Sequence, residues 1–192
     1  MRTINQDAVT FLTTRRSRPA KTLTTPVPDR DALAPMLTAA ARTPDHGKLE
    51  PWRFVVLEGA ALHRLAALAE TRGAELGHDA ATTAKAVDQF ANGNLIVAVI
   101  ASPKPSEKIP AIEQTYSTGA VCLALVNIAL ASGWGANWLS GWASHDPAFC
   151  QEGLGLAAHE KIAGFIHIGT ETNPPPERPR PDLDAITTWI SA

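Results

Sequence analysis

The chain has 192 residues, 45% of them hydrophobic and 19% charged, with a formal net charge of −2. That is enough chain for one domain of ordinary size with a real core, and the slightly acidic balance argues against a protein that coats nucleic acid or an anionic membrane. The two cysteines, Cys122 and Cys150, make no disulfide framework, and neither they nor the six scattered histidines have metal-ligand spacing.

Residues 1–7 lack the apolar core of a signal peptide. Residues 6–14 have the spacing of a short helix, with Ala8, Phe11 and Leu12 on one face and Asn5 at the N-cap position. Pro19 cannot easily continue a helix, so Arg15-Arg16-Ser17-Arg18 falls at its C-terminal end. After a loop at 26–29, Leu33, Met36, Leu37 and Ala40 form a helical stripe ending near Arg42, with Pro35 kinking or tightening its first turns. Turn chemistry makes 43–47 a loop, and 52–57 reads as a strand. Helices are expected over 60–76, with Leu62, Leu65 and Leu68 buried, and over 80–92. The unbroken apolar run 95–100 suits a central strand covered on both faces, ended by Pro103 and Pro105.

Residues 117–132 leave almost no polar face, and a helix apolar all round is buried all round. In a chain of this size that implies burial partly by a second subunit, with Val121, Leu125 and Ile128 on the shared face. The most apolar run, 119–131, is interrupted by Asn127 and is shorter than the roughly 20 residues of a membrane-spanning helix. A cytoplasmic location is the resulting expectation. Gly133 and Gly135 close the helix, and 136–142 reads as a strand. Asp146-Pro147 is an N-cap followed by proline at the first helical position. A strand containing Gly164 is expected over 162–168, and a last short helix, capped by Asp182, ends at Ile190. No repeat or linker divides the chain, which reads as a single domain over 1–192.

There is no G-x-G-x-x-G, P-loop, G-x-S-x-G or H-E-x-x-H motif. Four other groupings carry chemical information. Arg15-Arg16-Ser17-Arg18, taken alone, reads first as charge complementing a helix C-terminus, though its forked donors also suit a phosphate. Arg42-Thr43-Pro44-Asp45-His46 with Glu50-Pro51-Trp52 is either a self-anchored turn or a compact polar wall. The 133–142 segment has three of the chain's five tryptophans. Its glycines permit close backbone approach to a flat ligand and its indoles give apolar walls, although an aromatic-rich core strand has the same composition. Glu113, Gln114 and Ser117 read as residues at a helix start.

In their order along nearly the whole chain, these segments resemble the nitroreductase family, most closely its small YdjA-like NAD(P)H nitroreductase members. Arg15-Arg16-Ser17, the run 41–46, Pro51-Trp52-Arg53-Phe54, Glu113-Gln114, the 133–141 segment and 164–170 carry the resemblance. It implies an α+β fold in which a mostly antiparallel sheet is flanked by helices and forms an intertwined homodimer. It also implies FMN at two sites shared between subunits, with NAD(P)H as electron donor and a nitroaromatic, quinone or similar small molecule as acceptor. By the same resemblance Arg15, Arg16 and Ser17 hold the phosphate and ribityl end, and Arg42 and His46 reach the flavin from the other subunit. Trp138, Leu139, Ser140 and Gly141 lie beside the isoalloxazine, and Arg178 and Arg180 are further phosphate partners. Glu50 stands where the family commonly has Gln, and Leu139 where close relatives have Arg. No side-chain catalyst is expected, because the flavin carries the chemistry. Two other readings are a flavin carrier or sensor without turnover, and an interaction module whose arginines bind an anionic partner.

Overall fold

A strand whose residues are all apolar has to be covered on both sides, and that requirement organises the computed structural model, which describes residues 3–191. In chain order its elements are α1 (Gln6–Thr14), β1 (Leu23–Thr24), α2 (Arg30–Ala40), β2 (Trp52–Glu58), α3 (Ala60–Glu75), α4 (Ala80–Ala91), β3 (Leu95–Ala101), α5 (Ala111–Ala131), β4 (Gly135–Leu139), α6 (Pro147–Leu154), β5 (Lys161–Glu171) and α7 (Leu183–Ile186). Successive β3 side chains alternate between faces. Leu95, Val97 and Val99 pack with α2 and α5, while Ile96, Ala98 and Ile100 pack with α3, α4 and α6. None of the six is more than 1% exposed.

The sheet runs β1-β5-β3-β2, with β4 also paired to β5, and every pairing is antiparallel. Helices cover both of its faces, which is the α+β arrangement expected. Side-chain caps fix where the helices start: Asn5, Asp29, Asp79 and Asp146 accept from the backbone N–H groups of Ala8, Ala32, Thr82 and Phe149. Each such cap is worth about 1 kcal/mol. Pro147 occupies the first turn of α6, and Gly155 ends that helix in the left-handed region at φ 66°.

Three boundaries differ from the sequence reading. Helix α5 starts at Ala111 rather than 117, because Pro110 serves as its N-cap and Glu113 complements the first turn. Glu113 and Gln114 lie in its first turn, as read for a helix start, and Gln114 and Ser117 tether the flanking loops. Gln114 exchanges two hydrogen bonds with the Lys104 backbone, and Ser117 Oγ donates to Pro44 O at 2.6 Å. The resulting 21-residue helix is long and apolar enough to cross a membrane by length and composition, but one face of it packs on the sheet as core. Strand β4 stops at Leu139, and Trp142 sits in a 3-10 turn where its ring meets His78 and Phe149. The last helix ends at Ile186, with Trp189 and Ile190 outside it and exposed.

The orientation of α5 is a correction of substance. Val121 and Leu125, expected on a subunit-shared face, are 0% exposed inside this chain's own core, and Ile128 is half-buried against it. The uncovered apolar residues are Ile112, Tyr116 and Leu123, at 52%, 69% and 46% exposure. A helix with almost no polar residues carries no rotational phase in its sequence, so the sheet decides which stripe it buries.

Candidate functional site

Helix α1 delivers the first cluster. Its C-cap is Arg15, whose guanidinium donates to Ser17 Oγ at 3.1 Å while its Nε stays buried and unpartnered. Arg16 donates to the Pro176 carbonyl and to Glu177, and Arg18 pairs with Glu171 at 3.1 Å. Arg180 reaches the same place through Glu177. Burial holds the Arg15 pKa below its ordinary value, and repulsion from Arg180, Arg16 and Arg18 adds to the effect. Four guanidiniums stand against two carboxylates beside a cleft of about 310 Å³ that Arg15, Arg16, Arg18 and Glu171 line, an excess of positive charge that suits an anion. Arg178 makes only a backbone bond, from its N–H to Glu177, among the described residues.

From this cluster the chain runs alongside β4. Arg18 N–H donates to Ala136 O at 2.8 Å, and Gly135 has room for no Cβ between Leu23 and Gly169. It arrives at Ala20 and Lys21 on the rim of a second recess, of about 230 Å³. Leu139 lines that recess together with Lys85, Gln89 and Asn92, which share one face of α4 or its end by their i, i+4, i+7 spacing, and with His167 of β5. Gly141 faces the Gln89 side-chain oxygen. Burial pushes the His167 imidazole down to about 4, so it is neutral at pH 7.

That histidine makes the protein acid-sensitive in a defined window. In the unfolded chain it protonates near its ordinary value of about 6.5. Between about 6.5 and 4 the unfolded chain therefore binds more protons than the native one. Stability is fully present above this window and is lost as pH falls through it, by roughly 3 kcal/mol in total. Urea midpoints of ligand-free protein should fall between pH 7 and 4.5, and His167→Leu should flatten that fall. An unchanged slope in the variant would contradict the assignment.

Leu139, the last residue of β4, lines this recess, with Trp138 before it and Ser140 and Gly141 after it. The Trp138 ring lies over Gly164, where an added Cβ would sit 2.0 Å from Nε1, and Nε1–H donates to Ala163 O at 3.2 Å. Of the backbone N–H groups expected beside a flavin, that of Gly141 donates to Ser144 Oγ at 3.4 Å. Gly164→Ala should expel the indole from its seat, cost roughly 1–3 kcal/mol of stability and shift Trp emission to the red. Unchanged stability and emission would show that this contact does not hold the segment.

Arg42 and His46 are elsewhere. Arg42 follows α2 and is exposed; His46 Nδ1 lies 2.5 Å from Glu113 Oε2, at the start of α5. The loop is held tightly: Glu50 N–H donates to Asp45 at 2.6 Å, and Gly47, Lys48 and Glu50 all have φ between 50° and 72°. Glu113 and Leu130, which line the His46 and Arg15 clefts respectively, are about 25 Å apart along the helix axis. Within one chain, then, the structure groups Arg15, Arg16, Ser17 and Arg180, ties the cluster to β4 through Arg18 and Ala136, and places His46 at the other end of α5.

Sequence reasoning missed Lys21, Lys85, Gln89, His167 and the Glu113 partnership with His46. One signal was present: His167 is the lone titratable residue in the 162–168 apolar run. A cavity of about 460 Å³ lined by Cys150 and Lys161 lies away from all these residues. Burial first, and Asp146 second, push the Cys150 thiol up to about 11, while burial takes Cys122 to about 12, so neither is a thiolate nucleophile at neutral pH.

Comparison with known proteins identifies the family. The nitroreductase family profile matches residues 12–170. A protein of Escherichia coli strain K12 carrying the provisional name NAD(P)H nitroreductase YdjA is 35% identical over 164 residues, which is 85% of this chain and 88% of that one. A nitroreductase-like family protein from Bacillus cereus superposes with a TM-score of 0.80 at 25% identity, covering 100% of both chains. A chain from Desulfovibrio desulfuricans crystallised in complex with FMN superposes with a TM-score of 0.74 at 19% identity, covering 98% of this chain and 99% of that one. With the fold, the arginine cluster and the β4 segment all in the expected order, the chain belongs to the nitroreductase family, as a YdjA-like member.

Proposed function

We propose that this oxidoreductase binds one FMN per chain and works as a homodimer with two sites, each built from both subunits. FMN bound there supplies the redox centre, accepting hydride from NAD(P)H and reducing a nitroaromatic, quinone or similar electron-poor acceptor in turn. One observation carries the reading: residues 15–21 run from a crowded guanidinium cluster to a polar recess lined by Lys21, Lys85, Asp88, Gln89, Leu139 and His167, which suits a ligand with a phosphate at one end and a flat polar ring system at the other. Arg15, Arg16, Ser17 and Arg180 hold the phosphate, with Arg178 as a more peripheral cation. Trp138, Leu139, Ser140 and Gly141 border the ring, and the lysines beside it favour an anionic reduced state. The Arg42 and His46 loop, about 25 Å of helix away in the same chain, reaches the ring only from a second copy.

The test is stoichiometry. Ligand-free protein titrated with FMN should quench flavin fluorescence to an end point of one FMN per chain, and light scattering should give the dimer mass. A protein that takes up no FMN removes this reading, and uptake by a stable monomer removes the shared site.

A further inference from the structure

Two carboxylates sit among the four guanidiniums of the arginine cluster, and they are not equivalent. Glu171 ends β5, is 26% exposed and pairs with Arg18. Glu177 belongs to a segment, 174–182, that is neither helix nor strand, and its side chain is 63% exposed. One of its oxygens collects three donors: Arg180 at 2.8 Å, the Arg178 backbone N–H at 2.9 Å and Arg16 at 3.3 Å. Led by the Arg178 N–H, with Arg180 and Arg16 adding to it, these hold the Glu177 carboxyl below its ordinary range, so it is charged at neutral pH. Five prolines between 174 and 181 stiffen the segment, and Arg16 also holds its backbone at the Pro176 carbonyl. The carboxylate is therefore delivered to Arg16 and Arg180 by a fixed backbone, yet it can turn into solvent without giving up any packing. Among the described residues Arg15 alone of the four arginines has no carboxylate partner.

A carboxylate and a phosphate ask the same of a guanidinium, since both accept its forked donors. A phosphate monoester brings three acceptor oxygens and close to two negative charges at neutral pH, against the single charge of Glu177. We propose that Glu177 is a built-in competitor of the FMN phosphate, holding Arg16 and Arg180 until the phosphate takes them and so setting how tightly the cofactor is kept. This rests on the FMN reading above and adds a control at its phosphate end. The phosphate meets Arg15 first and then displaces Glu177 from Arg16 and Arg180, while Glu171 stays with Arg18 on its strand.

The experiment titrates ligand-free wild type, Glu177→Gln and Asp182→Asn with FMN and with riboflavin, which has the ring and lacks the phosphate. Glutamine keeps an acceptor for the Arg178 N–H and removes the charge. Asp182→Asn makes the same change in net charge nearby, at a carboxylate whose one hydrogen bond among the described residues is from the Asp184 N–H. Glu177→Gln should tighten FMN by about three- to fivefold, the size expected when exposed ion pairs no longer compete, and should leave riboflavin unchanged. Asp182→Asn should alter neither ligand. A gain shared by riboflavin, or matched by Asp182→Asn, would be a general charge effect and would overturn the proposal. FMN binding that is unchanged or weaker in Glu177→Gln would overturn it too, the weaker case showing that Glu177 positions the arginines for the phosphate, and the FMN reading would stand in both. If wild type binds neither ligand, that reading falls and the competitor with it.

Discussion

Leu123→Arg is expected to leave a folded monomer that no longer retains FMN. Leu123 is 46% exposed on α5, in line with Tyr116 and Ile112 and away from the Val121 and Leu125 stripe that meets the sheet. An arginine there touches no core contact of its own chain, so the monomer's stability should move by no more than about 0.5 kcal/mol. In a dimer whose interface includes this face the same arginine is an unpaired buried charge, which costs about 3–5 kcal/mol. The dimer dissociation constant should therefore rise by two to four orders of magnitude, with FMN affinity falling in step because Arg42 and His46 leave with the partner. Light scattering and FMN titration on one sample read both. A variant that remains dimeric and binds FMN normally would place the interface elsewhere. Leu125→Arg makes the contrast: with its side chain 0% exposed in the chain's own core, it should prevent folding altogether.

Arg15→Ala should weaken FMN by about one to two orders of magnitude, the loss of a charge-assisted contact worth roughly 1.5–3 kcal/mol. The ligand-free protein should not be destabilised with it. Arg15 is held against burial and against Arg180, Arg16 and Arg18, and its Nε has no partner, so removing it relieves a repulsion. A cluster that served only to cap α1 would show the reverse, with unchanged FMN affinity and a less stable chain. Saturating FMN should restore most turnover to the variant, since the phosphate end is remote from hydride transfer. Normal binding with lost turnover would mean that Arg15 faces the nicotinamide or the acceptor instead, and that the flavin lies the other way round.

The parts of this molecule legible in its sequence are those decided locally. The 95–101 strand announces itself because each of its residues is apolar, and both helix layers it requires are present. The asparagine and aspartate caps, and Asp146-Pro147 above all, mark where helices begin. The arginine cluster and the 138–141 segment are visible as composition, and their order along the chain carries the family resemblance. Phase and convergence are not local. Helix α5 has no polar stripe from which to read its rotation, so Leu125, expected on a shared face, goes to the core and Leu123 is left exposed. The recess is assembled from Lys21, α4, β4 and His167, more than a hundred residues apart in sequence. Only the fold shows that Gln89 and His167 line the same recess.

The central claim is that this chain turns over electrons through a bound flavin, and an anaerobic spectrum tests it most directly. Protein loaded with one equivalent of FMN should lose its visible flavin bands when NADPH or NADH is added without oxygen, and regain them when a quinone or nitroaromatic follows. Bands that bleach and return establish the two half-reactions in one cuvette. Tightly bound flavin that neither nucleotide bleaches would contradict the account and leave a flavin carrier or sensor in its place.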